Sequence, residues 1–323
     1  MMRFRRRNPR VATVAGTLAA IACLVASAAG PLPVASAVPA AAPAAAVPPL
    51  PVATPGGSVA WQPSSRRALG RPVLYTGSAG GAFVAWMDPQ LSRPQVVPGT
   101  GDPLSSPWGG QVAPDQQPFL VAAFNGGFKF GDFNGGVISF GNSYRSPAAG
   151  EASFVVYSDG SFTVGQWGRD VDPAKQVVAL RQNLGMLVDG GAPTAAASAP
   201  GNWGASVAGV ATTRGGVGVD ANGALVWAGG RLSPLALAQA LVSAGAVRGM
   251  ELDINPDWVN FNSYDVGADN VAHGNGIFGA TGPNRYLTPN RRDFIAVFVR
   301  GTVASGATAK LGAAPLAAEA HVH

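Results

Sequence analysis

Apolar runs of five to eight residues recur along this chain, and glycine closes or follows most of them. They include PVLYTG from residue 72, AFVAWM from 82, FLVAAF from 119, SFVVYSDGSFTVG from 153, GVGVDANGALVWAGG from 216 and DFIAVFVRG from 293. Runs this short, rich in Val, Phe and Tyr and bounded by turn residues, are strands and hairpins. In two of them the turn itself is readable. Ser-Asp-Gly at 158–160 and Asp-Ala-Asn-Gly at 220–223 place glycine where positive φ is needed, next to residues that tolerate turn geometry.

One segment has helical spacing instead. Ser233 is a capping residue, Pro234 suits the first helical position and Gly245 ends the run, with Leu237, Ala238, Leu241 and Val242 forming the buried stripe. Many strands with few helices predict an α+β fold, a single mixed, strand-rich domain with a few packed helices.

The ends of the chain are of different composition. MRFRRRNPR followed by VATVAGTLAAIACLVASAAG reads as a secretory signal with a cleavage site at Ala35-Ser36-Ala37, or as an uncleaved anchor. Residues 1–37 are therefore set apart, and export to the cell envelope or the medium is expected. Residues 38–57, almost entirely Pro, Ala, Val and Gly, form a spacer that suits proximity to a wall or membrane. The folded domain is expected over 58–303, with an Ala-rich tail over 304–323.

Five of the 22 basic residues, Arg3, Arg5, Arg6, Arg7 and Arg10, lie in the leader, leaving 17 basic against 17 acidic. The net charge of +5 therefore gives no reason to expect nucleic acid as a partner. Cys23 also lies in the leader, so the exported part has no thiol for a disulfide, a zinc site or a nucleophile. His273 is the one histidine outside the tail, which counts against Ser-His-Asp hydrolases and multi-histidine metal centres.

Polar residues cluster where apolar runs stop. FLVAAF leads directly into Asn125-Gly126-Gly127, and a second Asn-Gly-Gly follows at 134–136, with Lys129 and Asp132 between the two copies. Glycine lets a ligand or another chain segment approach the backbone, and asparagine both donates and accepts hydrogen bonds. The first copy is expected to form a pocket wall and the second a closing loop, against the alternative of two plain hairpin turns.

In MELDIN, Glu251, Asp253 and Asn255 alternate with Met250, Leu252 and Ile254, so strand geometry predicts a polar row opposite an apolar row that faces the preceding helix. Asp189 ends another apolar stretch, ahead of Gly190-Gly191. Arg214 precedes a hairpin strand, with a fork that suits phosphate. Trp258 is a candidate for stacking on a sugar. Asp220, Asp253, Asp257 and Asp265 are the carboxylates for a possible calcium, although their spacing matches no standard loop and no other cofactor is called for.

The order NGGF, LVDGG, R-x-x-x-G-V-D-x-N-G-x-L, LS-x-x-x-LA-x-x-L-x-x-x-GA and a strand reaching LD resembles the phosphodiester glycosidase family over roughly residues 70–302. The resemblance implies hydrolysis of sugar 1-phosphodiesters at the anomeric carbon. It places Asn125, Gly126, Arg214 and Asp253 on the family's polar positions, with Asp189 and Gly190 a looser match. Where the family has N-L-D-G-G-G-S-S, this chain has Glu251-Leu252-Asp253-Ile254-Asn255-Pro256, so the glycine-rich loop is replaced.

A phosphomonoester leaving group ionises near pH 6, so its departure does not require a histidine acid. On that reading Asp253 and Glu251 are the catalytic carboxylates. Arg214 holds phosphate, while Asn125, Gly126, Gly127, Asp189 and Asn255 contact the carbohydrate or sugar-phosphate substrate. Two other readings remain: an envelope carbohydrate-binding protein without catalysis, and a hydrolase of ordinary glycosides.

Overall fold

The glycine-closed runs pair side by side, and each pairing among the described residues is antiparallel. The computed structural model describes residues 52–101, 106–172, 174–199, 201, 203–204 and 210–300. The expected signal, the first part of the spacer and the tail lie outside these residues, all of which belong to the unit Leu50–His323.

Three sheets carry the fold. The largest has eight strands, in the order Gln62–Pro63, Leu74–Ala79, Ala82–Met87, Leu225–Leu232, Thr212–Asp220, Ala246–Asp253, Met186–Asp189 and Ala192–Pro193. A five-stranded sheet orders Phe162–Gln166, Ala152–Tyr157, Val177–Gln182, Val137–Ser139 and Asn142–Arg145. A second five-stranded sheet orders Ala272–Phe278, Phe261–Val266, Leu120–Asn125, Phe294–Val299 and Ser92–Val97. The described residues are thus strand-rich, with one α-helix, Pro234–Ser243, and three short 3-10 segments; no helix among them is long and apolar enough to cross a membrane.

Burial explains why the runs are apolar without alternation. In Phe294–Val299, Ile295, Val297 and Val299 enter the central core with Phe124, Phe154 and Trp227, whereas Phe294, Ala296 and Phe298 enter a second core with Leu120, Ala123 and Tyr286. A strand covered on both faces reads as a continuous hydrophobic run. Each large apolar side chain so buried contributes roughly 1.5–3 kcal/mol.

The helix forms as its sequence signals predict. The Ser233 hydroxyl accepts from the Ala236 amide at 3.1 Å, and Gly245 follows with φ of 95°. Leu237, Ala238 and Leu241 pack on the outer face of the large sheet against Val188, Val226 and Ala228. Ala53, at the end of the expected spacer, joins this cluster, and the Ser58 amide donates to the Ser243 carbonyl at 2.8 Å.

The strand Ala246–Asp253 corrects one expectation. Its apolar residues Met250 and Leu252 turn away from the helix into the central core, while a Cβ at Gly249 would meet Leu241 of the helix. The helix is accommodated by the small residue, and the larger apolar pair fills the space between sheets.

Candidate active site

The strand Leu120–Asn125 delivers Asn125 to the end of its sheet, where the side-chain Oδ1 accepts from the Asn260 amide at 3.3 Å and Nδ2 donates to the Gly126 carbonyl at 3.0 Å. The next two residues must be small. A Cβ on Gly126 would fall on the Asp293 carboxylate, and one on Gly127 would meet the Arg181 guanidinium at 2.9 Å. Those two side chains form an ion pair at 2.7 Å between Nε and Oδ2, both about 1% exposed. The first Asn-Gly-Gly is therefore the point where a buried ion pair crosses the backbone. The second copy packs elsewhere, with Gly135 against Gln182 and Gly136 against Pro147, and Lys129 and Asp132 are exposed.

Asp253 arrives from the large sheet. Its Oδ1 accepts the Ile254 amide at 2.7 Å and the Asn255 amide at 2.9 Å. Its Oδ2 lies 3.4 Å from Arg292, whose guanidinium also donates to the Gly127 carbonyl at 2.7 Å. Burial raises the Asp253 pKa above the usual carboxylate value, opposed by those amides and by Arg292.

Glu251 does not share this environment. Gly216 pairs with Glu251 and Gly215 with Asp253, so Leu252 is an extra residue in the ladder. Such a bulge re-aims the side chains that follow it. Gly216, opposite Glu251, faces Leu237 of the helix, whereas Gly215, opposite Asp253, faces Asn125. Glu251 is fully buried and accepts from Arg214 at 2.7 Å, and Arg214 donates further to the carbonyls of Leu232, Trp203 and Val210. Burial outweighs Arg214 and pushes the Glu251 pKa up to about 8. The predicted polar row is thus divided between two faces of the sheet, and Arg214 lies with Glu251 in the interior.

A narrow slot is lined by Asn125, Gly126, Gly127, Asp253, Trp258, Arg285, Tyr286, Arg292 and Asp293. Its volume is about 10 Å³, close to that of a single water. It adjoins a groove of about 680 Å³ that shares Trp258 and Arg285 with it and adds Asp257, Thr281, Pro283, Asn284 and Thr288. Arg285 and Arg292 both lie over the Trp258 ring, at 4.6 and 5.3 Å from its centroid. Tyr286 is stacked on Phe294 at 4.5 Å, and its pKa is raised by burial.

Of the candidates read from the sequence, the structure brings Asn125, Gly126, Gly127 and Asp253 together, with Trp258 beside them. Asn255 shapes the neighbouring turn, accepting the Asp257 amide at 2.9 Å. Asp189 is partly exposed and paired with Arg169 at 2.8 Å. It sits near Val247, roughly 20 Å from Asp253 along the shared strand direction.

Arg285, Tyr286, Arg292 and Asp293 were not singled out from the sequence. A visible signal for the last two was Arg291-Arg292-Asp293 directly before a wholly apolar run. The carboxylates considered for calcium are dispersed. Asp220 binds its own turn and Trp86, and Asp265 binds Ser65 and Asn275. Among the described residues no three His, Cys, Asp or Glu side chains are grouped to hold a metal.

No protein-family model and no curated protein matches this chain. Similar solved structures include the catalytic domain of zebrafish N-acetylglucosamine-1-phosphodiester alpha-N-acetylglucosaminidase, at 16% identity and a TM-score of 0.47 over 76% of this chain and 89% of that one. A hypothetical protein from Synechocystis matches at 13% identity and 0.42, over 75% and 62% of the two chains. A putative exported protein from Burkholderia pseudomallei matches at 11% and 0.37, over 71% and 75%.

Proposed function

We propose that this chain is an exported hydrolase that cleaves the anomeric C–O bond of sugar 1-phosphodiesters, in glycans of the cell envelope. The observation that carries this reading is the convergence of two carboxylates, Asp253 and Asp293, and two arginines, Arg285 and Arg292, on one slot that opens into a groove with a tryptophan wall. Motif order along the sequence supports it separately.

The chemistry needs a cation for the phosphate and a carboxylate near the developing positive charge at the anomeric carbon. Arg285, which reaches the groove, takes the first role in place of Arg214, while Arg292 fixes Asp253 beside it. Asp253 takes the second, held in position by two backbone amides. The groove is large enough for a sugar unit and the slot is not, so the substrate lies along Trp258 with its reacting bond at the slot mouth.

The slot's small volume also favours a second reading, a carbohydrate-binding protein without turnover. Release of free sugar from sugar 1-phosphodiesters and from matched phosphate-free glycosides separates them, with the full chain compared with Asp253→Asn. Turnover of the phosphodiesters alone, abolished in the variant, supports hydrolysis. Binding without turnover overturns it.

A further inference from the structure

We propose that the slot holds the attacking water, that Asp293 is its general base, and that hydrolysis proceeds by single displacement with inversion at the anomeric carbon. The inference rests on the hydrolytic reading above and adds the base and the stereochemistry.

The two carboxylates of the slot are held differently. Both oxygens of Asp253 have partners: Oδ1 accepts two backbone amides, and Oδ2 faces Arg292. In Asp293, Oδ2 is bound to Arg181, while Oδ1 is buried and has no hydrogen-bond partner in the protein. A buried carboxylate oxygen without a partner is costly, and in a slot of this size one water satisfies it. That oxygen is thus positioned to accept a proton.

Depth decides against direct attack by Asp293. Its carboxylate fills the space beside Gly126, about 1% exposed, and a volume of about 10 Å³ separates it from the groove. No pyranose ring enters such a space, so a bond from Asp293 to the sugar is sterically barred, and a water bridges the distance.

In the reaction, the water oxygen forms a bond to the anomeric carbon as the bond from that carbon to the phosphate oxygen breaks. The electron pair leaves with the phosphomonoester, and the water proton passes to Asp293 Oδ1, from which it returns to solvent. Asp253 stabilises the oxocarbenium-like centre. No oxidant or further reactant is required.

The native full-length chain tests this with the α-linked methyl phosphodiesters of glucose, mannose and N-acetylglucosamine 1-phosphates. Proton NMR in the first minutes, before mutarotation, reads the anomer released, and H₂¹⁸O reads the bond cleaved. The β anomer first, with the label in the sugar and none in the phosphate, is expected. An α anomer first, or a glycosyl adduct on the protein with a 2-fluoro sugar phosphodiester, overturns inversion and leaves the hydrolytic reading intact. Label in the phosphate, or no turnover of any of the three, overturns both.

Discussion

The carboxylate of Asp293 occupies the position at which a side chain on Gly126 would begin, so the two residues cannot both carry a Cβ substituent in this arrangement. Gly126→Ala is therefore expected to displace Asp293 from Arg181. The cost is roughly 1–3 kcal/mol of stability, as for other overpacked sites, with loss of turnover. Chemical denaturation and sugar release measure the two effects, and a variant of wild-type stability and activity would contradict the geometry.

Asp253→Asn keeps a side-chain oxygen for the Ile254 and Asn255 amides and removes the charge facing the slot. The fold should persist, while turnover falls by about 10²- to 10³-fold, the range of one lost electrostatic stabiliser of the transition state. Circular dichroism alongside a rate assay separates the two. Because burial raises the Asp253 pKa, the acid limb of kcat/KM should also lie above the ordinary carboxylate value of about 4.

The two arginines should respond in opposite ways. Arg292→Lys removes the planar fork at the slot and should lower kcat/KM roughly 10- to 100-fold with little change in stability, the loss expected of one or two charged hydrogen bonds. Arg214→Met leaves the buried Glu251 carboxyl without its hydrogen-bond partner and should cost roughly 1–3 kcal/mol. The double variant Arg214→Met/Glu251→Leu should recover much of that stability. If Arg214→Met loses affinity for substrate and keeps its stability, the assignment of the two arginines is reversed.

Glu251 also predicts a pH effect on folding. Its pKa is raised to about 8 in the folded chain from an ordinary value near 4.5, so the folded state binds the proton more tightly. The associated stability is present in full below about pH 4.5 and is lost as pH rises through 8, by an amount on the order of a few kcal/mol. Denaturation midpoints should fall across that window in the native chain, and the slope should flatten in Glu251→Gln.

Local rules read much of this molecule correctly from its sequence. The helix from Pro234 was marked by its cap and closing glycine, and the hairpins around Asp159-Gly160 and Asn222-Gly223 by their turns. Asn125, Gly126 and Gly127 were visible because an apolar run stops there, and Asp253 because polar and apolar residues alternate around it.

The failures came from one local irregularity and from long-range pairing. A single extra residue at Leu252 separates Glu251 from Asp253, and no periodicity argument anticipates it. Asp293 is 112 positions from Arg181 in sequence, and only the folded sheets reveal that they meet. Arg285 and Tyr286 sit in a 3-10 turn with no apolar pattern to mark them.

The strand Phe294–Val299 has a temporal consequence. It inserts between Ser92–Val97 and Leu120–Asn125, about 170 to 200 residues earlier, and it carries Arg292 and Asp293 into place at its leading end. A polypeptide emerges from the ribosome N-terminus first. The second five-stranded sheet stays open between two strands already made until Phe294–Val299 emerges, so Asp253 and Asp293 can meet only once that strand has been synthesised.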